Sequence, residues 1–294
     1  MPMLYTIEND YLKVTVSDVG AELQSIRSKT DDTEYLWQGD PTYWKNRAPN
    51  LFPYVGRLTE GKYLLDGKEY TLPIHGFAPT AQFERTAQTG QSIVLHVTDT
   101  LVTYAQYPRS FTMYVIYLLH GNTLIITYRV ENRDERRMYF GIGGHPGFCV
   151  PMEKGLSFED YHLRFRETSQ PNRIGFTEKC FLDGTESPFE LENRTDIPLA
   201  HSLFDNDAIV LKDMARCVTL ESGKGSHGVT VTFPQMQYLG IWHKPKTDAP
   251  YVCIEPWCSL PATQDVITIM EKQPDLVELE AGEIYENNWS IQCF

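Results

Sequence analysis

Alternation of apolar and polar residues with period two runs through most of this chain, and few architectures satisfy it. In "YLKVTVS" (11–17), Leu12, Val14 and Val16 fall on one face while Lys13, Thr15 and Ser17 fall on the other. Successive side chains of a strand point to opposite sides, so this pattern specifies a strand with one buried face. "SIVLHVTD" (92–99), "FTMYVIYLL" (111–119) and "TLIITYRVEN" (123–132) follow closely, and "HGN" supplies a tight turn between the last two. Further strand-like runs are "AIVLK" (208–212), "CVTLES" (217–222), "GVTVTF" (228–233), "YLGIW" (238–242) and "YVCIE" (251–255). In "KYLLDGKEYTL" (62–72), Asp66-Gly67 is a type I′ turn pair between two such runs, which predicts a hairpin. Helical periodicity is scarce; the best candidates are short pieces near 262–270 and 40–46. The expected fold is all-β, a large antiparallel sandwich over 1–294 as one domain, with 151–204 as strands joined by long loops.

The formal charge is −13, which argues against nucleic acid or an anionic membrane surface as partner. The start "MPMLYTIENDYLKVTV" carries no signal-peptide pattern, and no apolar run nears the roughly 18 to 20 residues that cross a bilayer. A cytoplasmic location is expected. The six cysteines, Cys149, Cys180, Cys217, Cys253, Cys258 and Cys293, show no paired spacing, so the expectation is buried free thiols, with no metal site.

"YFGIGGHPGFCV" (139–150) surrounds His145 with four glycines and a proline. Glycine weakens a strand and usually marks a bulge or a close approach, here read as room for a ligand against the backbone. The run is no dinucleotide fingerprint, because Pro146 replaces the third glycine and no βαβ pattern surrounds it. "GKGSHG" (223–228) lacks the spacing of a phosphate loop or a nucleophile elbow and reads as a turn. His243, before a proline loop, reads as a surface or rim residue.

Three polar residues sit in rigid contexts: His75 in "TLPIHGFAP", His145, and Glu255 in "YVCIEPW". A carboxyl that ends an apolar strand is expected to be partly buried, which raises its pKa towards the range of a general base. Taken singly, each has an ordinary structural explanation. Together, beside Gly or Pro, they suggest one polar site.

The blocks "NLFPYVGRL", "LPIHGFA", "GGHPGF" and "CIEPW", in this order, resemble the aldose 1-epimerases, or galactose mutarotases, and especially a bacterial branch of them. The resemblance runs from "GAELQSI" to "LEAGEIYENNWSI". It implies a galactose mutarotase-like β supersandwich with a sugar site in an open cleft. The implied reaction interconverts the α and β anomers of a free hexose without cofactor or metal. A base takes the C1 hydroxyl proton, an acid protonates the ring oxygen, and the opened sugar closes from the other face.

By the same resemblance Glu255 is the base and His145 the acid, though His75 has a similar setting. His75 and Arg57 would hold hydroxyls and developing charge, and Asp207, or else Asp205, would bind hydroxyls. Phe77 and Trp242 are wall or core residues. Pro79, where many relatives carry a basic residue, and the loop with Cys258 and Pro261 after "EPW", leave the sugar's identity open. A hexose-6-phosphate 1-epimerase would need a cationic cluster that the chain does not advertise. A carbohydrate-binding protein without turnover is the other alternative; a glycoside hydrolase would require a second catalytic carboxylate.

Overall fold

The computed structural model describes residues 2–294. Two large antiparallel sheets dominate it. The nine-stranded sheet runs Asp196–Pro198, Tyr161–Phe165, Cys217–Ser222, Val229–Thr232, Ile284–Cys293, Thr123–Asn132, Phe111–His120, Ser92–Thr98, Glu84–Gln88. Its central strands carry the sequence alternation directly: Leu124, Ile126, Tyr128 and Val130 are buried against the partner layer. The second sheet runs Leu182–Pro188, Asn172–Phe176, Ile209–Lys212, Tyr238–Trp242, Tyr251–Trp257, Gly143–Gly144, Asn50–Leu51. Gly147–Cys149 pairs with Tyr251–Trp257 as well. One hydrophobic core, drawn from Ile7 through Cys293, fills the interior.

Tyr128 shows how the layers lock. Its hydroxyl, on the nine-stranded sheet, donates to Asn50 Oδ1 in the second sheet at 2.8 Å. Asn50 in turn donates to the carbonyls of Gly20 and Ala21. A buried amide with its donors and acceptor met costs little and fixes the relative position of the sheets.

The predicted hairpin forms, with Lys62–Leu65 antiparallel to Lys68–Thr71. Asp66 and Gly67 both take positive φ, 52° and 69°, as a type I′ turn requires. Asp66 also receives both Nη atoms of Arg109, at 2.9 and 3.0 Å.

Neither predicted helix exists. In 262–270 the backbone bonds outward: Ala262 N–H donates to Arg57 O, and Thr268–Ile269 pairs in parallel with Tyr63–Leu64. Segment 40–46 makes a single turn, with Trp44 N–H donating to Asp40 O, before Arg47 N–H turns to Glu22. The one α-helix among the described residues is Leu101–Gln106, nucleated by a Thr100/Thr103 capping box. Leu101 and Val102 are exposed, so no buried apolar stripe announced it. The six cysteines are free, but only Cys253, Cys258 and Cys293 are fully buried; Cys149, Cys180 and Cys217 are half-buried.

Candidate functional site

The second sheet supplies the site. Tyr251–Trp257 is buried along its whole length, so each of its faces meets a different environment. Val252 and Ile254 join the main core, while Cys253 belongs to a small aromatic cluster with Trp37, Ala249 and Tyr251. Glu255 and Trp257 line a cavity of about 290 Å³ on that other side, close to the lower end of ordinary small-molecule sites. Opposite Glu255 in the register stands Gly240, and opposite Cys253 stands Trp242, which forms part of the cavity wall.

His145 lies between two short strands, and its backbone is held from both flanks. Its N–H donates to Pro49 O at 3.0 Å, while Pro146 O accepts from Ile254 N–H at 3.1 Å. The ring stacks on Trp44, with centroids 4.8 Å apart. His145 Nε2 comes within 3.2 Å of Glu255 Oε2. That oxygen, like His145 Nδ1, has no aligned hydrogen-bond partner in the protein. Burial pushes the Glu255 carboxyl well above the usual carboxylate range, with Asp207 adding to the effect, and holds the His145 imidazole well below its usual value. Burial thus works against the charged form of both groups in the protein alone. Hydrogen bonds from a polar ligand would stabilise the charged forms.

His75 follows the hairpin at φ 66°. Its Nδ1 accepts from Gly56 N–H at 3.2 Å, which fixes the tautomer with the proton on Nε2. Its ring meets that of His145 edge-on at 5.5 Å. Burial, with the Arg57 guanidinium nearby, lowers its pKa to about 4. Arg57 is exposed and, among the described residues, is the one Lys or Arg lining this cavity.

Asp207 precedes strand Ile209–Lys212, at φ 72°. Trp242 Nε1 donates to its Oδ1 at 2.5 Å, and the Cys180 thiol donates to its Oδ2. Cys180 itself is at φ 62°. His75, Cys180 and Asp207 are thus three non-glycine residues in left-handed conformation around one cavity, the kind of local strain that gathers at functional sites. Asp205 is exposed and lines no part of the cavity, whereas Asp207 lines it.

Of its wall and core alternatives Phe77 takes the core one: it is 4% exposed and packs on Phe52 and Phe111. One further expectation changes. The glycines beside His145 do not make room for a ligand. A Cβ on Gly144 would lie 2.6 Å from the Trp289 ring, and one on Gly141 would lie 2.3 Å from Ser259 Oγ. Gly144 is small because the nine-stranded sheet closes on it through Trp289, and Gly141 because Ser259 and Val55 beside neighbouring strands crowd it.

His243 is fully buried rather than on a rim. Its Nδ1–H donates to Lys244 O at 2.7 Å, so Nε2 accepts from His201 Nδ1–H at 3.1 Å. Burial lowers its pKa to about 4. The unfolded chain takes up this proton near pH 6.5 and the folded protein only near 4. Stability from the neutral ring is therefore complete above the higher value and is lost as pH falls towards the lower one. The unfolding free energy from urea curves should fall between pH 7.5 and pH 5, by up to about 1.4 kcal/mol per pH unit from this group. The fall should be smaller in His243→Gln; an equal fall would assign it to other groups.

Sequence reasoning missed Trp44, Cys180 and Trp257 as lining residues. Trp257 lay inside the quoted "CIEPW" block, two positions from Glu255 and so on its face of the strand. Trp44 and Cys180 gave no local signal.

A buried imidazole–carboxyl pair in a strand-built cavity defines the site as one equipped for proton transfer. The whole fold is shared with solved proteins. A galactose mutarotase related enzyme from Lactobacillus acidophilus has a TM-score of 0.94 and 35% identity, over 99% of this chain and 97% of that one. A galactose mutarotase-like protein from Lactobacillus casei has a TM-score of 0.94 and 30% identity, over 99% and 100%. The protein LacX (plasmid) of Lactococcus lactis subsp. lactis is 33% identical over 98% of this chain and 99% of its own length. The aldose 1-epimerase family model matches residues 3–292. The chain belongs to the aldose 1-epimerase family.

Proposed function

We infer that the protein is an isomerase that interconverts the α and β anomers of a free, unphosphorylated hexose. The observation that carries this reading is the buried His145–Glu255 pair, 3.2 Å apart at the cavity. Ring opening requires a proton to leave the C1 hydroxyl and one to reach the ring oxygen. Both oxygens are bonded to C1, so adjacent groups can serve them. Glu255 acts as base at the hydroxyl and His145 as acid at the ring oxygen, and they exchange roles on closure.

Asp207, held by Trp242 and Cys180, accepts from sugar hydroxyls, while His75 donates through Nε2–H and Arg57 supports developing charge on the ring oxygen. A single cation favours a neutral sugar over a phosphate, which usually calls for an Arg or Lys cluster. The chemistry uses no cofactor. The continuous core supports one domain over 1–294, and six free thiols fit a reducing cytoplasm.

Polarimetry of freshly dissolved α-D-glucose and α-D-galactose tests the reading, with glucose 6-phosphate followed by an anomer-specific coupled assay. Accelerated equilibration of a free hexose is expected. His145→Ala should abolish it with a modest change in KM, while His75→Ala should also raise KM. Exchanged phenotypes would reverse the two roles, and sugar binding without acceleration by the wild type would make it a binding protein.

A further inference from the structure

We propose that His145, Cys253 and Glu255 form a binding site for a thiophilic divalent cation, Zn²⁺ by chemical class. The three are buried, and each places one ligand atom so that all three atoms lie within 4.8 Å of one another. The set unites a neutral-imidazole nitrogen, a sulfur and a carboxylate oxygen, a donor combination that suits zinc.

Register explains the grouping. Cys253 and Glu255 are two apart on one strand and so share a face, and Gly147, two residues beyond His145, pairs directly with Cys253. The metal spacing is invisible in the sequence because the histidine comes from more than 100 residues away, at a strand junction. Independent of the cluster's composition, Glu255, 2% exposed, ends in an unpartnered Oε2, and His145 Nε2 lies 3.2 Å from that oxygen. Buried polar atoms in that state are costly, and coordination is one way to satisfy them.

The cavity gives the cation a path from solvent, since His145 and Glu255 line it. A tetrahedral ion with three protein ligands would keep its fourth position for water or a sugar hydroxyl. On binding, the Cys253 thiol gives up its proton to solvent as the S–Zn bond forms, and a protonated Glu255 does the same, so affinity must rise with pH. Trp37 and Tyr251 pack around Cys253 and would exclude water from the sulfur side.

The consequence for turnover rests on the proposed function: a cation here occupies both proton-carrying groups and inhibits. Binding itself needs no turnover, so the test reads binding. Reduced, full-length protein is titrated anaerobically with Co²⁺ and followed by absorbance, then Zn²⁺ is added in competition. One equivalent of Co²⁺ is expected to give the visible bands of a four-coordinate ion and a near-ultraviolet sulfur-to-cobalt band, both removed by Zn²⁺. Cys253→Ser should lose the sulfur band, and Glu255→Gln should keep it while weakening affinity. The loss should be at least about tenfold, which is common even for groups that only support a ligand. Cys217→Ser, on the nine-stranded sheet away from the cavity, should give the wild-type cobalt spectrum. Unchanged cobalt spectra in folded Cys253→Ser, or no stoichiometric binding by the wild type, would overturn the site. Cobalt binding in a protein that fails to accelerate anomerisation would instead remove only the enzymatic reading.

Discussion

Glu255→Gln should lower the rate of anomeric exchange by about 10²–10⁴-fold, the span that a positioned general base or acid contributes. Glutamine keeps the size and the polar tip of the side chain but cannot take a proton from the C1 hydroxyl. Glu255 is 2% exposed, and burial already works against its charged form, so the neutral amide imposes no new desolvation cost. The thermal midpoint should therefore hold or rise while the rate collapses, and KM should change little. Polarimetric rates and a melting curve on the same preparation check both halves. A variant that retains most of the rate would remove Glu255 from the chemistry and make His145 or His75 the base.

Gly76→Ala should cost about 3 kcal/mol of stability, combining left-handed strain with overpacking. Gly76 has φ 72°, and a Cβ there would lie 2.2 Å from Phe52 O and 2.5 Å from Phe52 C. Both contacts are backbone, so no side chain can turn aside. Phe52 and Gly76 also form a parallel bridge that ties the His75 loop to the second sheet, and Ala78 N–H donates to Phe52 O. The urea midpoint should drop at constant m-value, and the sugar KM should rise because His75 is carried by the same loop. An unchanged midpoint would mean that the loop is free to move away from Phe52.

Much of the fold was legible because a strand with one wet face writes its geometry into every second residue. Leu12, Val14 and Val16 are buried as the alternation required, and the Asp66-Gly67 turn has the backbone its residue types favour. His145 and Glu255 stood out for a related reason, being polar residues in apolar, backbone-restricted contexts. Their partners did not. Cys180 reaches Asp207 across 27 residues, and Trp44 stacks on His145 across about 100, with no pattern in either neighbourhood to connect them. The glycines were visible but their cause was not, since only the packed structure shows Trp289 and Ser259 on the far side.

By itself, then, the sequence determined which residues share a strand face, where the chain turns, and which polar residues stand in unusual settings. Those are local consequences of side-chain period and backbone preference. The tertiary structure alone decided which face meets the core in a strand that is buried on both sides. Tyr251–Trp257 is buried on both faces and nearly all apolar, so its alternation is silent. Only packing between the sheets sends Val252 and Ile254 inward and leaves Cys253, Glu255 and Trp257 on the side of the cavity and its aromatic cluster.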